Sequence, residues 1–210
     1  MQPRTKYPRT FHLDFSPGVS NDDKVIENYN SLEGKEIVVT TKLDGENTSL
    51  YSDYLHARSI DGKYHPSRDW VKAFHASIKH NIPVGDRICG ENLYAKHSIY
   101  YENLESYFYG FSYWSYDLCL DYDSTLDIFK NLNIYSPKIL YRGPFDLKIL
   151  KDLPNQLDPI QDEGFVVRVV DAFHLSEFQQ KVAKWVRPNH VETDDHWMYQ
   201  IIVPNKLVSN

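Results

Sequence analysis

Cysteine is scarce in this sequence. There are two, Cys89 and Cys119, with no C-x-x-C pair and no His–Cys ligand spacing. That argues against a disulfide framework or a thiolate metal site, and for free, partly buried thiols in a reducing compartment. No segment approaches membrane-spanning length, and the opening stretch MQPRTKYPRTFHLDF lacks the apolar core of a signal peptide, so a soluble cytoplasmic protein is expected. Positive charge is not in excess either. The formal charge of −6 excludes a uniformly basic nucleic-acid coat protein, though net charge averages away any local basic groove. There is no internal repeat, no low-complexity tract and no linker-like stretch.

What is present is the material of a packed core. Hydrophobic residues make up 41% of 210, with Tyr and Phe prominent, which suits one folded domain. Residues 1–30 are rich in Pro, Asp, Asn and Ser and read as an irregular lead-in to a domain over 31–197, with 198–210 as a tail. The β-branched run EIVVTTK (Glu36 to Lys42) predicts a strand ending at a lysine, and Asp44-Gly45 is a turn signal that lets the chain double back. TSLY and YLHARS predict short strands. SRDWVKAFHASIKHNIP predicts a helix capped at Ser67, with Trp70, Phe74 and Ile78 on one face and Pro83 beyond its end.

RICGENLY and SYFYGFSYWSY predict two more strands, and DSTLDIFKNLNI a second helix capped near Ser124 or Thr125. In EGFVVRVV, Phe165, Val167 and Val169 alternate with Val166, Arg168 and Val170, the period of a strand. KVAKWVR (Lys181 to Arg187) reads as the last strand. Strands interspersed with a few helices, without a βαβ rhythm, predict an α+β fold with largely antiparallel sheet.

Lysine is a covalent nucleophile only when its amine sheds its proton. The free pKa lies near ~10.4, and apolar walls or neighbouring positive charge lower it. A lone K-x-D-G is a common accident or a plain surface hairpin. Here Lys42-Leu43-Asp44-Gly45 is followed, in order, by Gly90-Glu91, the aromatic run YFYGF, EGFVVR and KVAKWVR.

That ordered set resembles the covalent nucleotidyltransferase superfamily of ATP-dependent RNA ligases, DNA ligases and mRNA capping enzymes. KLDGENTSLY, HARSIDGKYHPSRDW, GENLYAKHSIYY and VAKWVRPNHVETDDHW are most similar to the small phage and bacterial RNA ligases, over about Tyr7 to Trp197. The resemblance implies an ATP-grasp-like ligase adenylation domain, with largely antiparallel sheets flanking a nucleotide pocket. It implies that Lys42 attacks the α-phosphate of ATP to form lysyl-AMP. AMP then passes to a 5′-phosphate RNA end, which a 3′-hydroxyl seals.

By the same resemblance, Asp44 and Glu163 position Mg²⁺ (or Mn²⁺), and Gly164 lets the backbone approach the ligand closely. Glu91 supports the ribose or the metal, Arg58 contacts ribose or phosphate, and Phe111 stacks on adenine. Lys184 contacts the α-phosphate, with Lys181 or Arg187 as its partner. The family often has an aspartate after the stacking ring, where this chain has Ser112.

Two further groups stay open between function and plain surface. Lys63, His65 and Arg68 in GKYHPSRD are either phosphate ligands or a solvated basic loop. His190, Asp194, Asp195 and His196 invite a metal reading, but their spacing fits no standard zinc site. Few residues follow Arg187, so no OB domain is expected, and a partner protein is an expected source of further substrate contacts. A DNA ligase, another polynucleotide nucleotidyltransferase, or a catalytically silent nucleotide-binding module of the same fold are the alternatives.

Overall fold

The computed structural model describes residues 4–60, 64–188 and 201–208. Lys63 and the cluster from His190 to His196 lie outside the described residues. The strands in chain order are β1 (Phe11–His12), β2 (Glu36–Lys42), β3 (Glu46–Leu50), β4 (Leu55–Ala57), β5 (Asp86–Asn92), β6 (Phe108–Ser115), β7 (Leu118–Cys119), β8 (Ile139–Pro144), β9 (Gly164–Val169), β10 (Phe173–His174) and β11 (Val182–Val186). Among the described residues, the α-helices are α1 (Asp69–Ile78), α2 (Tyr122–Asn131), α3 (Leu147–Asp152) and α4 (Phe178–Lys181). Among the described residues, no helix is long and apolar enough to cross a membrane.

The strands form two sheets. The first has the order β1-β11-β9-β2-β8 and is antiparallel except where β1 runs parallel to β11. The second, β10-β7-β6-β5-β3-β4, is antiparallel throughout. This is the α+β, largely antiparallel architecture expected from the strand pattern. The Asp-Gly turn, however, does not close a hairpin. β2 pairs with β8 and β9, whereas β3 pairs with β4 and β5, so Lys42 ends one sheet and Glu46 begins the other.

The alternation in EGFVVRVV is realised as two faces of β9. Phe165 and Val167 join a core with Leu13, Ile37, Val39, Leu150 and Trp185, while Val166 and Arg168 look into the space between the sheets. α1 lays Val71, Ile78, Trp70 and Phe74 against Leu50, Ile88 and Phe108 of the second sheet. Its entry differs from expectation. A 3-10 turn over Pro66–Arg68 precedes it, and the His65 side chain accepts from Ser67 N–H, so Ser67 is inside the helical segment instead of capping it. α2 likewise begins one turn earlier than Ser124, because the Asp121 carboxylate accepts from Ser124 N–H.

The described parts of the lead-in and tail, residues 4–30 and 201–208, are tied to the domain. β1 adds an edge strand beside β11. Residues 201–208 lie along the 93–107 segment, where buried Asn205 donates from Nδ2 to Leu93 O (2.7 Å) and accepts at Oδ1 from Tyr101 N–H (2.9 Å). Tyr107 Oη donates to Asn205 O at 2.9 Å, closing the clasp.

Candidate active site

A cavity of about 570 Å³ opens between the two sheets. Its position follows from strand register. Lys42 is cross-strand from Gly164, which is cross-strand from Val186, and Thr40, Val166 and Lys184 form the row two residues away. Side chains two apart on a strand share a face, so Lys42 and Lys184 emerge on the same side of the first sheet. Both line the cavity. Opposite them, β5 of the second sheet supplies Glu91.

Lys42 is ion-paired with Glu163 Oε2. Burial works to lower the Lys42 pKa, but the charges of Glu163, Glu91 and Asp44 outweigh it and the net shift is upward. The pocket therefore does the opposite of the lowering anticipated for a nucleophilic lysine: it stores the amine as an ammonium, masked by carboxylate. Glu91 shows the reciprocal strain. Burial, helped by the charges of Glu163 and Asp44 against the pull of Lys42 and the Gly45 N–H, pushes its carboxyl up to about 8. Lys184 is lowered, by burial first and by the charge of Lys42, with Asp23 and Glu163 opposing.

Asp44 sits behind the turn. Its Oδ2 accepts from Ser98 N–H (2.8 Å), Ser98 Oγ (2.9 Å) and Ile99 N–H (2.8 Å), and its own N–H donates to Tyr101 Oη (2.9 Å). It pins the 98–101 segment and is not part of the cavity lining. Gly164 is required for a reason other than ligand approach. A Cβ there would lie 2.0 Å from Trp185 O, so the close spacing of β9 and β11 admits only glycine.

A divalent cation fits this site by charge. The carboxylates of Asp23, Asp44, Glu91 and Glu163 act on the ammonium groups of Lys42 and Lys184. Beside the Lys42 amine, the carboxylates of Glu163, Glu91 and Asp44 outnumber the one ammonium they act on, and oxygen donors of this kind suit a divalent cation. Among the described residues, no three His, Cys, Asp or Glu side chains converge into a ready-made metal cage.

The aromatic assignment acquires a geometric reason. The β5–β6 pairing shifts register between Cys89 and Gly90, which pair with Ser112 and Gly110, leaving Phe111 as the extra residue of a β-bulge. A bulge re-aims side chains, and both Phe111 and Ser112 reach the cavity. Tyr7 meets Phe111 edge-on, with centroids 5.3 Å apart at 71°. Val166 from the first sheet faces the same apolar end, together with Phe173 and Val182.

Other expectations are redistributed. Arg58 lines the cavity but follows β4 and is exposed. Lys181 ends α4 and pairs with Glu177 at 3.9 Å, outside the cavity lining, because KVAKWVR is helix up to Lys181 and strand only from Val182. Arg187 follows β11 and donates its N–H to Glu163 O at 3.1 Å, on the far side of Glu163 from Lys42's sheet row. Arg68 is no solvated loop residue. It is buried and grips Glu46 through both carboxylate oxygens, Nε to Oε2 at 2.7 Å, and the pair lines the cavity. Glu46, Val166, Tyr7 and Asp23 were not singled out from the sequence. Only Val166, on the polar-facing alternation of EGFVVR, carried a local signal.

Residues 35–186 match the family model described as RNA ligase. The chain belongs to the RNA ligase family. No curated protein sequence matches this RNA ligase family chain. Among solved structures it is similar to an archaeal ATP-dependent RNA ligase, at 13% identity and a TM-score of 0.58 over 86% of this chain and 48% of that one. A putative ATP-dependent DNA ligase from Aquifex aeolicus matches at 18% identity and 0.55, over 86% and 49%. The RNA ligase of Naegleria gruberi, determined with pyrophosphate, matches at 19% and 0.52, over 89% and 61%. At such identities the likeness shows the fold. The chain spans between about half and three-fifths of the length of these ligases.

Proposed function

We propose that this RNA ligase family member is an ATP-dependent RNA ligase working through a lysyl-AMP intermediate on Lys42. The observation that carries the reading is the convergence, on one cavity between two sheets, of a carboxylate-masked Lys42, Glu91 and a second lysine, Lys184. The Lys42 ammonium first gives up a proton to solvent; the free amine then attacks the α-phosphorus, a P–N bond forms as a second N–H proton leaves, and the P–O bond to pyrophosphate breaks. AMP then passes to a 5′-phosphate RNA end, and a 3′-hydroxyl displaces it to leave a phosphodiester.

In-line displacement at phosphorus rests on positioning and charge neutralisation. Lys184 offers positive charge toward the α-phosphate, and Phe111 with Val166 forms the slot for the base. Arg58, on the open rim, offers a phosphate or ribose contact. Glu163 must release Lys42 before the amine can act, which couples the arrival of the phosphates to unmasking of the nucleophile. A bound Mg²⁺ (or Mn²⁺) would supply charge neutralisation on the phosphates, and Glu163 would hold it, with Asp44 behind the turn fixing the 98–101 segment instead of facing the cavity. The proposal includes repair of RNA breaks in the cytoplasm, with a partner chain contributing to docking of the ends.

The test is incubation with α-labelled ATP and Mg²⁺, read on a denaturing gel. Label should remain on the wild-type protein and disappear with Lys42→Ala. Absence of label with every nucleoside triphosphate would sink the proposal. Presenting 5′-phosphorylated RNA and DNA, single-stranded and nicked, then identifies the acceptor. Joining of DNA ends alone would make it a DNA ligase.

A further inference from the structure

The residues before the family-matched span 35–186 line the cavity with Tyr7, Pro8, Arg9 and Thr10 and bring to it one carboxylate, Asp23. Asp23 has its two oxygens divided between anchoring and presentation. Oδ2 accepts from Ser20 N–H (3.2 Å) and Ser20 Oγ (2.8 Å), and lies 3.3 Å from His12 Nε2. Oδ1 faces Lys184 Nζ at 3.5 Å, with both side chains about one-fifth exposed.

His12 is itself fixed. It is fully buried, and its Nδ1 is 2.8 Å from Ser16 Oγ, which accepts from Val186 N–H at 2.9 Å. β1 meanwhile runs beside β11 with His12 directly opposite Lys184, and Leu13 N–H donates to Lys184 O at 2.8 Å. The lead-in thus grips β11 at the backbone on both sides of Lys184 and fixes the lysine's side-chain head with a single carboxylate oxygen.

A Ser–His–Asp series of this kind invites comparison with a hydrolase triad, but Ser16 is buried and held by Val186 and is not among the cavity-lining residues. The series points the other way, outward through Asp23 to the lysine. Resting on the ligase reading above, we propose that Asp23, anchored by Ser20 with His12 packed beside it, is the positioning residue for Lys184 during adenylylation of Lys42.

The charges support the geometry. Lys184 faces Asp23, Lys42, Glu163 and, through Asp23, His12. Burial opposes ionisation of Asp23, but the Ser20 hydrogen bonds and the charges of Lys184 and His12 prevail and hold it low, to about 2. His12 is pushed down to about 4, by burial and by Lys184 against the pull of Asp23, and is neutral at neutral pH. A permanent anion thus faces an ammonium whose charge burial and Lys42 both weaken. Removing that anion lowers the Lys184 pKa further and frees four rotatable bonds.

The decisive experiment is single-turnover labelling of the full chain with α-labelled ATP and Mg²⁺ across pH, comparing wild type with Asp23→Asn, Asp23→Glu and Ser20→Ala. Asp23→Asn should slow adenylylation at saturating ATP by on the order of tenfold or more, the scale on which misplacing a reacting group registers. The alkaline limb of its profile should move to lower pH. Asp23→Glu should recover part of the rate. Ser20→Ala, at an exposed site that should leave folding intact, should act in the same direction more weakly.

A wild-type rate and pH profile in Asp23→Asn would overturn the proposal. So would a loss that tracks thermal unfolding with the pH profile unmoved, which would mark Asp23 as structural only. Failure of the wild type to label at all would overturn the ligase reading, and this inference with it.

Discussion

Replacing Arg68 with Met isolates the energetics of the buried pair at the cavity wall. The Arg68 and Glu46 side chains are each 9% exposed, and their contact is bidentate. Solvent screening is slight at that depth, so the pair must be treated as buried and not as a surface ion pair. Arg68→Met removes the guanidinium but keeps most of the volume, leaving Glu46 as an uncompensated charge. Breaking one side of such a pair costs about 3–5 kcal/mol. In a domain of this size each kcal/mol moves Tm by roughly 2–4 °C, so a fall of about 6–20 °C is expected. The double variant Glu46→Gln/Arg68→Met leaves neither charge of this pair and should recover most of the loss. Urea unfolding of the two singles and the double at neutral pH, as a double-mutant cycle, supplies the numbers. An Arg68→Met loss below about 1 kcal/mol, or a double variant as unstable as the single, would refute the buried-pair reasoning.

Glu91 has a folded-state pKa of about 8, above its ordinary value of 4.5, so the folded chain holds a proton there that the unfolded chain releases. Its contribution is present below pH 4.5 and is lost as pH rises through 8, and Glu91→Gln should flatten that decline, as measured by urea midpoints at pH 5 and 8.5. Asn205→Ala strands Leu93 O and Tyr101 N–H and should cost about 1–3 kcal/mol, with slower Lys42 labelling, because Tyr101 Oη supports Asp44 N–H. Unchanged stability by thermal melting would contradict that role. Phe111→Ala should raise the KM for ATP roughly three- to tenfold, the worth of one aromatic contact, while leaving the labelling rate at saturation nearly intact. An equal loss in rate with KM unmoved would argue against a stacking role.

The parts legible in the sequence were those written locally. The β-branched run to Lys42, the alternation in EGFVVR and the ordered carboxylates each announce themselves within a few residues, and the α+β class followed from them. What could not be read depended on contacts distant in the chain. Asp23 meets Lys184 across 161 positions, and nothing in an irregular Asp- and Asn-rich stretch marks which carboxylate will do so. Arg68 stays open between a phosphate ligand and a solvated residue in the sequence because Glu46, its partner, lies 22 residues upstream on another element. The last strand starts at Val182, one residue after Lys181, because the helix-to-strand boundary falls inside KVAKWVR, where local pattern is weakest. The turn at Asp44-Gly45 looked like a hairpin because its sequence cannot reveal that the flanking strands join different sheets.

That separation of sheets has a mechanical consequence. Lys42 ends β2 and Glu163 immediately precedes β9, its neighbour in the same sheet, so the two travel together, whereas Glu91 rides on the other sheet. Widening the cleft withdraws Glu91 from the lysine and leaves Glu163 at its side, and closing it restores both. The spacing between the two sheets therefore sets how many negative charges Lys42 senses.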